Sequence, residues 1–183
     1  MIILYILILV LIVLVYTVFI LFLLAQVFAI FTTNAPFVPI PRDVVGDIVK
    51  NLKLNSNSVL YDLGCGDARV LIKAVEKYPE VKAVGVERAF LPYLLARFYT
   101  RKYKNIEIRR ENIFRTDVSN ATHVFMYLFP GVPDKLIEIF KEKCRPGIRV
   151  VSCDFESKNY KPVEIIDIES NNKIGKKLFV YSL

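Results

Sequence analysis

The chain has 183 residues, 54% of them hydrophobic and 23% charged, with a formal net charge of +7 and a mean hydropathy of +0.40. The apolar share excludes intrinsic disorder and the charged share excludes a bundle of membrane spans. Three cysteines, an odd number with no close pair, exclude a disulfide scaffold, and one histidine leaves too few ligands for a histidine-based metal site; no metal is expected.

The composition is split along the chain. No Asp, Glu, Lys, Arg or His precedes Arg42, and residues 1–31 contain only two clearly polar residues, Thr17 and Gln26. As a helix this segment would measure about 46 Å against a bilayer core of about 30 Å, so residues 1–31 are predicted as a transmembrane anchor. A cleaved signal peptide would show a basic start, a shorter apolar core and a small-x-small site, and a mitochondrial transit peptide would show Arg and Ser near its start. Neither pattern is present. Arg42, Lys50 and Lys53 follow the anchor, so the positive-inside rule places the N-terminus outside and the remainder in the cytoplasm. Unpaired Cys65, Cys144 and Cys153 agree with a reducing compartment. The missing transit pattern points to a prokaryotic plasma membrane, with the mitochondrial inner membrane as the alternative. Residues 32–41 carry Pro36, Pro39 and Pro41 and are predicted as a short extended linker. It would hold a domain at 42–183 close to the bilayer.

From Arg42 onward helix and strand periods alternate. Val44, Val45, Ile48, Val49 and Leu52 form a helical stripe. Strands are expected at 59–63, 83–86, 106–109, 123–128 and 148–153. Helical stripes fall at Val70, Leu71, Ala74 and Val75, at 90–98, and at Leu136, Ile137 and Phe140, the last stopped near Cys144 by Pro146-Gly147. Residues 163–168 and 177–181 read as two strands of a hairpin around Asn171-Asn172. The sum is five β/α repeats closing in an antiparallel hairpin. That is an α/β, doubly wound Rossmann-like sheet with helices on both faces, preceded by one transmembrane helix. Ligands in such sheets bind at the carboxyl ends of the strands near the switch point.

After the first strand stands Asp62-Leu-Gly64-Cys65-Gly66-Asp67-Ala68-Arg69. A Gly-x-Gly turn between strand and helix lets a ligand approach the backbone. A dinucleotide fingerprint wants Gly at the sixth position, where this chain has Arg69. After the second strand stands Glu87, where a carboxylate can accept two hydrogen bonds from a ribose diol. Either feature alone is commonplace; the pair is specific.

Val59-Leu-Tyr-Asp-Leu-Gly-Cys-Gly-Asp67 with Glu87 resembles the first motif and second-strand acid of class I S-adenosylmethionine (SAM)-dependent methyltransferases, and the final hairpin is similar to that fold's seven-stranded sheet. Pro36-Phe-Val-Pro-Ile-Pro41, Gly64-Cys-Gly-Asp-Ala-Arg69, Tyr127-Leu-Phe-Pro130 and Arg145-Pro-Gly-Ile-Arg-Val-Val-Ser-Cys-Asp-Phe155 resemble a narrower family of membrane-anchored protein-lysine methyltransferases. Its mitochondrial members modify the ATP synthase c subunit and the adenine nucleotide carrier, and it is itself similar to the histone-lysine methyltransferases without a SET domain. The family turn usually reads Gly-Ser-Gly-Asp-Gly-Arg, so Cys65 and Ala68 depart from it, as does Asn112 where Asp is usual.

The resemblance implies SAM as cofactor. Asp62, Gly64 and Gly66 would surround its methionine end with Asp67 close by, Glu87 would hold the ribose, and Asn112 with Ile113 would meet the adenine. Tyr127 would face the transferring methyl and the incoming amine, and Asp154 would border the substrate channel, better placed to position the amine than to act as its base. Methyl transfer from a sulfonium is an in-line displacement in which alignment supplies most of the acceleration. His123 and Cys65 read as structural. Arg97, Arg101, Lys102 and Lys104 form a basic helix end suited either to the helix dipole or to anionic headgroups. The expected partners are a membrane-protein substrate near the bilayer surface and the bilayer itself through residues 1–31. Methylation of a lipid, quinone or other hydrophobic small molecule is the alternative. A non-catalytic SAM-binding module is the third reading, and nucleic acid, supported only by net charge, is the weakest.

Overall fold

The computed structural model describes residues 1–32, 38–170 and 172–183. Residues 33–37 of the predicted linker, and Asn171 of the predicted hairpin turn, lie outside the described residues. The chain divides into two bodies, an N-terminal helix and an α/β domain, each described by itself.

Helix α1 runs Ile2–Thr32 without interruption. Within it the 24 residues Ile2–Ala25 are long and apolar enough to cross a membrane, and none of that stretch is buried against protein. Thr17 satisfies its own hydroxyl by donating to the Val13 carbonyl one turn back, at 2.8 Å, so no polar group interrupts the apolar surface there.

The domain runs α2 (Val45–Asn51), β1 (Val59–Leu63), α3 (Arg69–Lys77), β2 (Lys82–Val86), α4 (Phe90–Thr100), β3 (Ile106–Arg109), β4 (His123–Met126), α5 (Val132–Lys143), β5 (Arg149–Cys153), β6 (Glu164–Asp167) and β7 (Lys177–Ser182). The seven strands lie in the order β3-β2-β1-β4-β5-β7-β6. The first five are parallel, and β7 pairs antiparallel with both β5 and β6. This is the Rossmann-like seven-stranded sheet that the pattern predicts.

The period of two in each strand sorts the core into two layers. Leu60, Phe125, Val151, Leu178 and Val180 face α2, α3 and Ala96 of α4. Tyr61, Leu63, Val124, Met126 and Val150 face Leu136, Ile137 and Phe140 of α5. Chain direction across the sheet reverses between β1 and β4, which are adjacent. The switch-point crevice therefore opens beyond Leu63 and Met126.

Three details correct the expectations. The domain does not hold five β/α repeats, because residues 110–122 join β3 to β4 without a helix. Asn112 Oδ1 accepts the Phe114 N–H and Asp117 Oδ1 accepts the Ser119 N–H, side-chain turns that compete with helix. β4 ends at Met126, two residues early, because Leu128 turns to pack over Gly64. The expected hairpin of β6 and β7 is present, its strands joined by residues 168–176. Asp43 holds that connection by accepting from Ser170 Oγ and Asn172 Nδ2, both at 2.9 Å. The domain core also reaches back to Ile40, which is buried within the segment read as linker.

Candidate active site

The turn after β1 is built by hydrogen bonds that a glycine-rich sequence permits. Gly64 N–H and Cys65 N–H both donate to the Val86 carbonyl, at 2.8 and 3.1 Å. Gly64 sits at φ +82, and a Cβ there would come within 2.9 Å of Leu128 Cδ2. The missing side chain thus serves two needs, the left-handed backbone and the close approach of the chain leaving β4. Gly85 does the same one strand over: a Cβ on it would lie 2.8 Å from Cys65 Sγ and 2.7 Å from Leu71 Cδ1. The buried Cys65 thiol fits because Gly85 makes room. Burial, then the neighbouring Asp62 and Glu87 carboxylates, push that thiol well above its usual range, so it stays protonated and unreactive. Ala68 has φ +65, a left-handed conformation that glycine adopts more easily, which gives the family's usual glycine there a physical reason.

Three carboxyl groups converge on this turn. Asp62 is 3% exposed. Burial, followed by repulsion from Glu87 and Asp67, raises its pKa well above the usual carboxylate range, and no hydrogen-bond donor to it is found among the described residues. Glu87 lies just past β2. Its Oε2 accepts the Gly66 N–H at 3.1 Å and its Oε1 the Ala89 N–H at 2.8 Å. Burial raises the Glu87 pKa while those N–H bonds oppose the rise. Asp67 is tied by a bidentate pair to Arg69, 2.8 Å from Nε and 2.6 Å from Nη2. The remaining arm of Arg69 donates to the Ile40 carbonyl at 2.5 Å. In the sequence Arg69 stands as a departure from a dinucleotide motif and as the last residue of the family turn. The structure makes it the clamp between the turn and the segment entering the domain.

On the opposite side of the crevice, Tyr127 follows β4 and Phe155 follows β5. Their rings stack at 5.9 Å, and Phe129 stacks on Phe155 at 6.4 Å. Tyr127 is half-buried, and burial, then the Asp154 carboxylate, hold its phenol above the usual value, so it remains neutral at physiological pH. The Asp154 backbone is left-handed, φ 59. Its carboxylate accepts the Gly175, Lys176 and Lys177 N–H groups at 2.5, 2.8 and 3.2 Å, which fixes the start of β7. Phe129 is expected beside Tyr127 as a group that desolvates the amine, and Phe155 is the site residue that the predicted roles leave out; the three aromatics are spaced across two strand ends, and only the sheet order brings them together.

Asn112 and Ile113 follow β3, at the far end of the strand row from Tyr127. The Asn112 carbonyl accepts from the Thr116 hydroxyl and from the Arg115 and Thr116 N–H groups, and Ile113 packs against the α5-side core. His123 bonds to Thr122 Oγ1 at 2.8 Å. Burial, then Arg149, lowers its pKa, which gives a neutral structural imidazole. Among the described residues no cluster of His, Cys, Asp or Glu could hold a metal ion.

The ANTKMT methyltransferase domain family model matches residues 62–164. A protein-lysine N-methyltransferase of Saccharolobus islandicus (strain REY15A) is 34% identical over 148 residues, covering 78% of this chain and 90% of that protein. An RNA methyltransferase from Salinibacter ruber, solved with S-adenosyl-L-homocysteine, superposes with a TM-score of 0.72 at 32% identity, over 79% of this chain and 93% of that one. A precorrin-6y C5,15-methyltransferase from Geobacter metallireducens superposes with a TM-score of 0.60 at 14% identity, a likeness of fold alone. The residues present fit SAM. Its ammonium and sulfonium are cations, and the turn gathers three carboxyl groups, Asp62 among them buried, of which Asp67 alone is paired with a cation, Arg69, among the described residues.

Proposed function

The chain belongs to the ANTKMT methyltransferase domain family, and from that membership we propose that it is a membrane-anchored enzyme that transfers a methyl group to a lysine side chain of a membrane protein. It is a SAM-dependent methyltransferase. When bound, SAM supplies an electrophilic methyl on a positively charged sulfur.

The protein's part is alignment, desolvation and charge placement. Gly64 and Gly66 leave the backbone of the turn open to the methionine end, and Asp62 gives its ammonium a buried carboxylate partner, with Asp67 held nearby by Arg69. Glu87 keeps lone pairs for the ribose hydroxyls beyond those used by Gly66 and Ala89. Asn112 and Ile113 bound the adenine side. The observation that carries the lysine reading is the aromatic row Tyr127–Phe155–Phe129 at the carboxyl ends of β4 and β5. Such a row lines a channel for a long aliphatic stem and a cationic head. It also strips water from an amine whose free pKa is about 10.4, which favours the neutral, nucleophilic form. The Tyr127 phenol, neutral at physiological pH, orients the amine by accepting one of its N–H groups, which leaves the lone pair free to face the methyl. Asp154 is spent on three backbone N–H groups and acts by holding the 154–155 turn in place. The name of the Saccharolobus relative supports the same substrate class.

The anchoring part rests on α1, whose Ile2–Ala25 stretch has a hydropathy of 3.4 and no burial. Confinement of enzyme and substrate to one plane raises their effective concentration. Flanking Arg42, Lys50 and Lys53 support a domain on the cytoplasmic side.

RNA methylation is the second reading, supported by the name of the Salinibacter relative and by the fact that stacked aromatics also receive bases. Incubation of the full chain with labelled SAM and membranes from cells lacking its gene separates the readings. Label that proteinase removes, that ribonuclease leaves and that organic solvent does not extract supports protein methylation. Label in RNA or in the lipid extract overturns it.

A further inference from the structure

Helix α4 is built inside out. Its buried positions are Pro92, Ala96 and Thr100, a stripe of small residues four apart, while Phe90, Leu91, Leu94, Leu95, Phe98 and Tyr99 are 42–60% exposed. A helix on a sheet normally turns its large apolar residues inward and its charges outward; α3, on the same face of the sheet, does so. An exposed apolar face of this size on a soluble domain marks an interaction surface.

Along the segment that carries that face the charges are of one sign. From Arg88 to Ile106 the chain contains Arg88, Arg97, Arg101, Lys102 and Lys104 and no acidic residue. The cations lie against the aromatics: Arg101 is 4.0 Å from the Phe98 ring centroid and Arg110 is 5.0 Å from that of Phe90. Arginine stems lying along apolar surface with guanidinium heads at its rim are the arrangement of a helix seated at the boundary between headgroups and acyl chains. The centre of the face is aliphatic, Leu91, Leu94 and Leu95. That suits acyl chains, with the exposed rings of Phe90, Phe98 and Tyr99 around it. The chain also carries its own route to a membrane, because residues 33–37 and a few neighbours are all that separate α1 from the domain. A segment of ten residues reaches at most about 35 Å.

We propose that the α4 face is a second membrane contact, an interfacial surface that inserts Leu91, Leu94, Leu95 and Phe98 among the lipids of an anionic leaflet while Arg97, Arg101 and Lys102 meet the headgroups. The proposal rests on the anchored reading above and deepens it. With α4 seated, the crevice keeps one orientation to the bilayer, and the acceptors it can reach are amines at a fixed height above the membrane.

The chain contains no tryptophan, so a single introduced indole reports its own surroundings. The full chain carrying Phe98→Trp, and separately Lys73→Trp on α3 as the control, is reconstituted in nanodiscs of zwitterionic lipid with or without anionic lipid, and with brominated acyl chains as quencher. The expected result is a blue-shifted Phe98→Trp emission that brominated lipid quenches about two-fold or more in anionic discs and less in zwitterionic ones, with Lys73→Trp unquenched. Adding Leu91→Glu and Leu94→Glu to Phe98→Trp should abolish the quenching. An unquenched Phe98→Trp in every disc overturns the proposal. So does emission that responds to single-stranded RNA, or to protein concentration, and not to lipid; these would assign the face to RNA or to a second copy. Carbonate extraction of the same samples tests the anchor separately. A chain retained in the membrane with α4 in water refutes only this proposal, whereas a chain released by carbonate refutes the anchored reading.

Discussion

Helices α3 and α4 follow neighbouring strands, cover the same face of the sheet and are tied at their starts to one carboxylate, since Glu87 accepts from Gly66, just before α3, and from Ala89, the residue capping α4. Beyond that shared origin they are opposites. α3 buries Val70, Leu71, Ala74 and Val75 and exposes Lys73, Glu76 and Lys77. α4 buries three small residues and exposes six large apolar ones. One helix is finished by the domain and water. The other is finished only by something apolar that the domain does not supply. The contrast teaches that the cofactor turn and the surface beside it answer to different constraints: the turn to close backbone approach and charge, the surface to the enzyme's surroundings.

The comparison breaks first at its common point. Glu87→Ala removes the acceptor of both N–H groups and of the ribose hydroxyls, and isothermal titration should show SAM affinity reduced by about a hundredfold or more, as expected for two charge-assisted hydrogen bonds left unmade. The two helix faces differ next. Leu71→Ala, at a fully buried position, should cost about 2–5 kcal/mol in denaturant unfolding. Leu94→Ala, 42% exposed, should change stability in detergent by less than about 0.5 kcal/mol; equal losses would show that α4 is a core helix after all. Gly85→Ala sits between these. Its added methyl meets Leu71, Cys65 and Ile108 within 2.8 Å, and overpacking of that kind costs about 1–3 kcal/mol.

A smaller effect is pH-dependent. Asp62 and Glu87 both have raised pKa values. Their contribution to the stability of the cofactor-free domain is present at low pH and lost as pH rises through those raised values, and a bound cation offsets the loss. The thermal shift given by SAM should therefore be larger at about pH 7.5 than at about pH 5, and Asp62→Asn should flatten the difference. A shift that grows as pH falls would contradict the charge reading of the turn.

Much of this was legible in the chain. The parallel sheet with its antiparallel end follows from alternating periods plus a terminal hairpin, and the turn from two glycines between a strand and a helix. What escaped did so for physical reasons. The β3–β4 connection has the apolar spacing of nothing in particular, and its Asx turns depend on where Asn112 and Asp117 point their side chains. Asp154 reads as a carboxylate that positions the amine at the substrate channel until the β6–β7 connection folds across it. Arg69 reaches Ile40 across 29 positions of sequence, and local pattern carries no signal of such a contact. The α4 stripe at 90–98 was read correctly as helical, but a period of 3.6 does not say which face is inward; Pro92, Ala96 and Thr100 could do so only once the sheet showed how closely α4 approaches.

The central claim is that a lysine of a membrane protein receives the methyl group. Peptide mass spectrometry on membranes lacking the gene, incubated with SAM and either the full chain or its Glu87→Ala variant, tests it most directly. The account predicts methyllysine close to the bilayer boundary of an integral membrane protein, formed by the full chain and absent with the variant. Methyllysine confined to soluble proteins, or an RNA nucleoside modified in its place, would contradict it.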